Sequence, residues 1–464
     1  MTKKEKKVNI SKSGTLKVVN PDSAGIDVGS RFMQVCVPSD RCENNNRSFP
    51  CYTDGLRELA SWLKECGIKT VAMESTGVYW VPLYRILEQD GFDVVLANAK
   101  AVKNISGRKT DVSDAEWLMV LMSYNLVTSS FQIQEQARAI RHLSRHRENL
   151  IRQASAEALH MQKAMERMNI KLHNAISDIM GVSGMNIISA IIDGCRDPRQ
   201  LAQLADPRCR SSRRDIERSL CGTWDESLLF ELGQSFSHYH YIMSMIRDCD
   251  DRIEAQTNKL AETQEKRQPR DPFTRACKSK AAKNKLAFDL EVVAYRIFGV
   301  NAMSIPSVSE GTVLTLLAEL GADFTEKFKS ARAFCHWCNL TPNNKITGGR
   351  TQSSHIEKRK NRVGQAFRQC ASTLHHAKNE LGQMYRRIKA QSGAAQANVA
   401  MAHKLAKIFF NIVLKKRDYD ASILARNEQV ILEKRIQRSK KQLEKLMKAK
   451  NQTSENQLVA ANVI

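Results

Sequence analysis

The stretch Ala24-Gly-Ile-Asp-Val-Gly-Ser-Arg-Phe-Met-Gln-Val-Cys-Val37 decides how the N-terminal region folds. Its residues read as two short strands meeting at a tight turn over Gly29-Ser30. Working outward, a third strand is expected around Arg47 to Tyr52. A helix over Leu56 to Cys66, a strand at Thr70 to Met73, a helix from Tyr79 to Gln89 and a strand at Asp93 to Ala97 follow. A helix beginning at Val112 or Ser113 and running through Met122 closes the unit near residue 128. Strands alternating with helices of this length predict an α/β layer with a central sheet.

The pattern changes after Gln132. From Glu135 to Leu172 there is neither Pro nor Gly, and apolar residues recur at Ile140, Leu143, Leu150, Ala154, Ala158, Met161, Met165, Met168 and Leu172. Steps of three, four and seven mark the seam of a long helix with coiled-coil character. A second seam runs through Leu232, Phe236, Tyr239, Met243, Ile246, Ile253 and Leu260. The Pro- and Gly-containing stretch from Gly181 to Trp224 between them predicts an antiparallel pair with a small helical insertion at its tip. A mostly helical region follows from about Phe288 to Leu424. The expected organisation is a basic arm (1–20), an α/β domain (21–130), a coiled-coil middle with a basic linker (131–290), a C-terminal domain (291–425) and a basic helical tail (426–464).

The chain of 464 residues carries 72 Lys and Arg against 49 Asp and Glu, a formal net charge of +23. Such a surplus points to a polyanionic partner, of which nucleic acid is the commonest. No apolar run approaches the ~20 residues of a bilayer span, and no apolar segment follows the basic N-terminus as in a signal peptide. A cytoplasmic protein, nucleoid-associated when bound and without a membrane partner, is therefore expected. Twelve scattered cysteines fit reduced thiols better than a disulfide framework. The one close pair, Cys335-His-Trp-Cys338, lacks the second half of a zinc site and reads as a helix face.

Four acids stand where metal-assisted phosphodiester chemistry would use them. Asp27 lies near the end of the first strand, Glu74 ends the strand Val-Ala-Met-Glu, and Asp111 and Asp114 flank a helix start in Lys109-Thr-Asp-Val-Ser-Asp-Ala-Glu-Trp117. Carboxylates gathered at strand ends repel one another, and Mg2+ relieves that repulsion. Two ions ~3.5–4 Å apart can activate an attacking oxygen and stabilise a leaving one. Singly, each acid also suits a structural role, Asp27 in a turn, Glu74 on the surface, Asp111 and Asp114 at a helix N-terminus.

Jointly, Gly25-Ile-Asp-Val-Gly29, Glu74-Ser-Thr-Gly77 and Gly107-Arg-Lys-Thr-Asp-Val-Ser-Asp-Ala115 resemble the DEDD transposases of the insertion-sequence-110 family, the bridge-RNA-guided serine recombinases. The resemblance continues through Ile305-Pro-Ser-Val-Ser309, Leu317-Ala-Glu-Leu-Gly321, Phe334 to Pro342 and Ile346-Thr-Gly-Gly349, spanning roughly residues 24 to 425. It implies a RuvC-like RNase H fold for the first domain, with Asp27, Glu74, Asp111 and Asp114 as ligands of Mg2+, two ions in all. It further implies a mostly α-helical C-terminal transposase domain, donor and target DNA as substrates, a guide non-coding RNA as partner, and a dimer or tetramer.

In that family a Ser preceding Gly, shortly after a Leu-x-Pro turn, attacks the DNA phosphate and becomes covalently attached. Here Leu340-Thr-Pro-Asn-Asn-Lys-Ile-Thr-Gly-Gly-Arg350 puts Thr347 at that position. Threonine keeps the hydroxyl, while its methyl stiffens χ1 and crowds in-line approach. A turn residue before Gly348-Gly349 is the plain structural reading, and Ser353 or Ser354 are the nearby substitutes. Residues 345–368 hold seven basic side chains and one acid. Lys345, Gly348, Gly349, Arg350, Lys358, Arg359, Lys360 and Arg362 are candidate contacts to a phosphate backbone. Upstream, Ile305-Pro-Ser-Val-Ser309 resembles a helix-hairpin-helix turn with Ser307 and Ser309 at the usual glycine positions. The expected function is a site-specific, RNA-guided DNA recombinase of a bacterial insertion sequence. An RNase H-like DNA nuclease and a non-catalytic, decayed transposase that only binds nucleic acid remain the alternatives.

Overall fold

The computed structural model describes residues 17–75, 77–97, 102, 113–127, 129–264 and 284–424, with positions 430, 433, 436–444, 446 and 447. Asp111, Cys277, most of the basic arm, the basic segment 266–283 and much of the tail lie outside the described residues. The chain divides into two compact units, Met1–Gln132 and Ile133–Ile464.

In the first unit, β1 (Ser23–Val28), β2 (Phe32–Cys36) and β3 (Asn46–Pro50) form an antiparallel ladder. The turn after β1 is closed where Gly29 donates its N–H to the Phe32 carbonyl. On the other side of β1, β4 (Thr70–Glu74) and β5 (Asp93–Ala97) add in parallel, giving the order β3-β2-β1-β4-β5. Parallel neighbours need crossovers, and α1 (Thr53–Glu65) and α2 (Trp80–Gln89) supply them. Both helices pack on one face, where Ala24, Ile26, Val28, Val71 and Met73 meet Leu56, Leu59, Leu63, Leu83 and Leu87. The opposite face carries Ala72 and Ala97 and is covered by α3 (Asp114–Ser123) through Leu118, Leu121 and Met122. This mixed sheet with a mostly helical remainder is compatible with an RNase H-like domain.

The second unit starts with α4 (Glu135–Arg167), which packs along α5 (Glu226–Glu262). Arg147 meets Asp250, Glu157 meets His238 at 3.0 Å and Arg167 meets Glu231 at 3.2 Å, so the two helices run antiparallel. At their far end, four short helices between Leu172 and Ser219 close a core of Ile187, Ile188, Ile191, Leu201 and Ile216 over Leu228 and Leu232. The seam differs from the sequence expectation near Leu143, where Ser144 and Arg147 are the buried residues. Arg147 escapes an apolar pattern because its partner, Asp250, is equally buried on α5. The Arg147 guanidinium also donates to the carbonyls of Asn284 and Lys285, both at 3.3 Å, and Asp250 accepts from the Ala287 N–H at 3.2 Å. This pair thus fixes the returning chain to the helical stalk.

The C-terminal helices are α6 (Leu290–Phe298), α7 (Glu310–Leu320), α8 (Ala331–Trp337), α9 (Arg362–Thr373) and α10 (Glu380–Lys415), with a hairpin of β6 (Asn343–Thr347) and β7 (Arg350–His355) between α8 and α9. Their core is aromatic. Phe324 stacks on Phe409 with ring centroids 5.5 Å apart, and Phe298, Phe334, Phe367 and Phe410 surround them. Helix α10 is long and apolar enough by composition to cross a bilayer, but Met401, Leu405, Phe409, Phe410 and Val413 are spent in this core. The helices join the stalk through Glu319, which accepts from Arg145 at 2.8 Å on both carboxylate oxygens. Stalk and C-terminal helices therefore form one compact unit.

Ile305-Pro306-Ser307-Val308 forms a turn in which Val308 donates to the Ile305 carbonyl and Ser307 adopts φ +74°. A proline followed by a positive φ is the type II arrangement, which ordinarily takes glycine at that second position. Serine occupies it here, and the turn keeps its shape against the cost of the side chain.

Removing one partner of the buried ion pair is expected to be severe. Arg147→Ala should cost about 3–5 kcal/mol in urea unfolding, because Asp250 is left buried and uncompensated. The double variant Arg147→Met with Asp250→Leu should recover most of that loss. Equal losses in the single and double variants would show that the pair is not what stabilises the stalk.

Candidate active site

Asp27 and Asp114 are brought close to one another by one tight backbone contact. A Cβ built on Gly25 would lie 2.1 Å from the Ala115 carbonyl oxygen and 2.3 Å from the Met119 nitrogen. Only the absence of a side chain lets α3 rest directly on β1. Ala72, paired with Gly25 on β4, keeps the neighbouring strand equally low. The C-terminal end of α3 is held where the hydroxyls of Ser23 and Ser123 meet at 2.9 Å. Ser113 caps the other end, accepting the Glu116 N–H at 3.2 Å, and Asn46 of β3 donates to the same hydroxyl at 3.4 Å.

Alternation along β1 puts Asp27 on the face of Gly25, under the first turn of α3. The register pairs Ile26 with Met73, so Asp27 and Glu74 follow as the next positions on adjacent parallel strands. They share the α3 face with backbones about 4.8 Å apart. Asp114 opens α3 above them. Burial, and after it the charge of Asp114, push the Asp27 carboxyl above the usual carboxylate range, partly offset by the Val28 N–H donating to it. The two aspartates are thus electrostatically coupled. Glu116, an acid not assigned a role from sequence, lies on the same turn beside Cys36, whose thiol burial and then Glu116 push up to about 11. The signal for it was present in Asp114-Ala-Glu116, where alternate residues of a first helical turn spread across two strands.

Among the described residues, no three His, Cys, Asp or Glu side chains are gathered into a ready metal-binding group. Asp111 is outside the described residues. The donor chemistry nevertheless suits a hard cation, because Asp27 and Asp114 offer carboxylate oxygens whose mutual repulsion a cation would relieve, and oxygen ligands are what Mg2+ takes.

The second candidate site is the β6–β7 hairpin. Thr347 pairs with Arg350 across a two-residue turn in which Gly348 and Gly349 have φ +54° and +73°. Two consecutive positive φ values make a type I′ hairpin turn, which explains the Gly-Gly. Added Cβ atoms there would meet nothing, so the tip is open. Thr347, Lys345 and Arg350 are all exposed, as are Lys358, Arg359 and Lys360 beyond β7. Ser353 and Ser354 pair with Lys345 and Asn344, midway down the hairpin and away from the tip. Arg362, expected from sequence as a backbone contact, has acidic partners within the domain. Its guanidinium is paired with Glu148 and lies 3.8 Å from Glu319, so it braces α9 against the stalk. Arg359 likewise donates to the Trp337 carbonyl at 3.2 Å.

Cys335 and Cys338 are buried, and burial pushes the Cys335 thiol up to about 11 and that of Cys338 higher. Cys335 donates to the His403 carbonyl. These are protonated core thiols, as expected from their place on a helix face, and the described cysteines are all free.

A family model for DEDD transposases of the IS110 type matches residues 24–170, and a second, described as transposase of the IS116/IS110/IS902 family, matches residues 300–386. The chain belongs to the IS110 family of transposases. A search of curated proteins returned no match. The first matched segment contains Asp27, Glu74, Asp111 and Asp114, and the second contains Thr347 and the whole hairpin. An IS110-family transposase acts on DNA, which accounts for the basic balance of the chain.

Two substitutions test the acidic site. Gly25→Val should lower stability by about 1–3 kcal/mol or more through overpacking and abolish any metal-dependent cleavage, because α3 must lift. For Asp27 the sign follows from its raised value: the folded state holds that proton more tightly, so stability falls as pH rises through the raised value. Asp27→Asn should therefore raise Tm at pH 7 without metal, by about 1–3 °C for a half-exposed carboxylate. If these acids hold Mg2+, the variant should also lose the rise in Tm that the ion would give the unsubstituted protein. Melting curves with and without Mg2+ check both statements.

Proposed function

We propose that this IS110-family transposase is an RNA-guided, site-specific DNA recombinase of a bacterial insertion sequence that works through a covalent threonyl–DNA intermediate. The observation that carries this reading is the coupling of Asp27 to Asp114 over a face shared with Glu74, together with a threonine hydroxyl held at an open, basic hairpin tip. The runs of Lys and Arg outside the acidic domain support a partner larger than a single duplex, such as guide RNA with donor and target DNA.

Asp27, Glu74 and Asp114, with Asp111, would hold Mg2+, one or two ions. When bound, Mg2+ supplies charge neutralisation of the phosphate and of the leaving oxygen. The chain's own residues do the rest. Lys345 and Arg350 flank Thr347 and orient a phosphate, and the N–H groups of Gly348 and Gly349 are accessible to its oxygens. The Thr347 oxygen forms a bond to phosphorus while the bridging bond to the deoxyribose oxygen breaks. The hydroxyl proton passes to a base and the leaving oxygen takes up a proton. Attack by the freed hydroxyl of a second strand reverses these steps and rejoins DNA without loss of bond energy, which is why a covalent intermediate suits recombination.

The test incubates the full chain, RNA transcribed from the element's non-coding ends and labelled DNA spanning the element's junction with Mg2+. A protein–DNA adduct that survives denaturation is expected. Thr347→Ala should abolish it, and Thr347→Ser should retain it, with a rate equal or higher because the crowding methyl is gone. Asp27→Ala should remove cleavage and leave salt-sensitive DNA binding intact. Cleavage without an adduct would replace this reading with a water-using nuclease, and binding without cleavage would leave a nucleic-acid-binding protein only.

A further inference from the structure

The β6–β7 hairpin has almost no core of its own. Every residue of β6 is exposed, and along β7 only Ser353 is partly covered. A two-stranded hairpin without a packed face is marginal in water, so what aims its tip is its base. That base is laced by side chains. Helix α8 ends in a Schellman arrangement, in which Asn339 donates its N–H to the His336 carbonyl and Leu340 donates to that of Cys335. Asn339 takes φ +57° in this motif, a position usually given to glycine. Asparagine there is costlier to the backbone than glycine but brings an amide.

Asn339 is 4% exposed, and its Nδ2 donates to two carbonyls of the outgoing chain, Glu357 and Arg359, both at 2.8 Å. The Asn339 carbonyl accepts from Arg368 at 2.7 Å, and Asn361 donates back to the Trp337 carbonyl at 3.0 Å. The segments leading into and out of the hairpin are therefore tied across its base, with both amide hydrogens of one buried side chain at the centre. We propose that Asn339 is a positioning residue for the Thr347 hydroxyl, setting the angle at which the hairpin leaves the domain. This rests on Thr347 as the attacking group. A five-residue strand is about 17 Å long, so a tilt of about 5° at the base moves the tip by roughly 1.5 Å. Displacement on that scale is enough to cost about a hundredfold in rate.

The test compares the full-length protein with Asn339→Gly, which keeps the positive φ and removes the amide, and with Asn339→Asp, which keeps the shape but turns oxygens toward the two carbonyls. Hydrogen exchange over residues 343–360 should rise about tenfold in both variants, with exchange elsewhere unchanged. Adduct formation on the junction DNA should slow by about tenfold or more in both variants with DNA affinity unchanged, and in Asn339→Gly Tm should stay near that of the unsubstituted protein, whereas the buried charge of Asn339→Asp lowers it. Unchanged exchange and an unchanged rate overturn the proposal. So does a rise in exchange across the whole second unit in both variants, because Asn339 would then be a residue of the fold at large. Exchange is read without DNA, so it separates the two assignments. If Thr347→Ala still formed the adduct, the nucleophile reading would fall, and the localised exchange would still show the clamp.

Discussion

The missing side chain at Gly25 is the constraint on which the acidic site depends. A helix that crosses a sheet normally stands about 10 Å above it, spaced by the side chains of both. At Gly25 and Ala72 that spacing collapses, and the first turn of α3 comes down against the backbone of β1. Asp114 at its N-terminus is then brought into the field of Asp27, and burial, with that charge second to it, holds the Asp27 carboxyl above its ordinary range. Bringing like charges together costs the fold stability, a cost that the metal binding proposed for this site would relieve. Ser113, Asn46, Ser23 and Ser123 hold the helix in place along its length, so the repulsion does not simply push it away.

The hairpin works by the opposite means. Where the acidic site is built by close packing, the Thr347 tip is built by exposure, with two positive-φ glycines turning the chain and basic residues on both strands. Its rigidity is imported from the base, where a helix terminator, a buried amide and two arginines meet. Arg362, which by sequence belongs to the basic run, is half-exposed and pairs with Glu148 and Glu319. The basic run is thus two populations, one solvent-facing and able to meet phosphate, the other holding the domain to the stalk.

Much of the α/β unit was legible in the sequence because each strand and helix carries its own period. The strand Asp93–Ala97 has the bounds expected of its short apolar run, and the helix expected from Val112 or Ser113 starts at Asp114 with Ser113 as its cap. The stalk was legible as two seams, and its buried Arg147 was not, since a charge reads as surface until its partner 103 positions away is known. The same holds for Glu319 and Asn339. Each is a polar residue whose burial is made tolerable by partners supplied from another element, and no local pattern announces that.

By itself the sequence determined the elements, the family-bearing acids and the threonine before Gly348-Gly349, because local spacing and motif chemistry are properties of neighbouring residues. The tertiary structure alone decided which of the acids face one another, which arginines are free to meet phosphate, and what steadies the hairpin. Those are matters of distance between segments far apart in the chain, set by a glycine that lets a helix descend and an asparagine that ties a helix end to the segment leaving the hairpin.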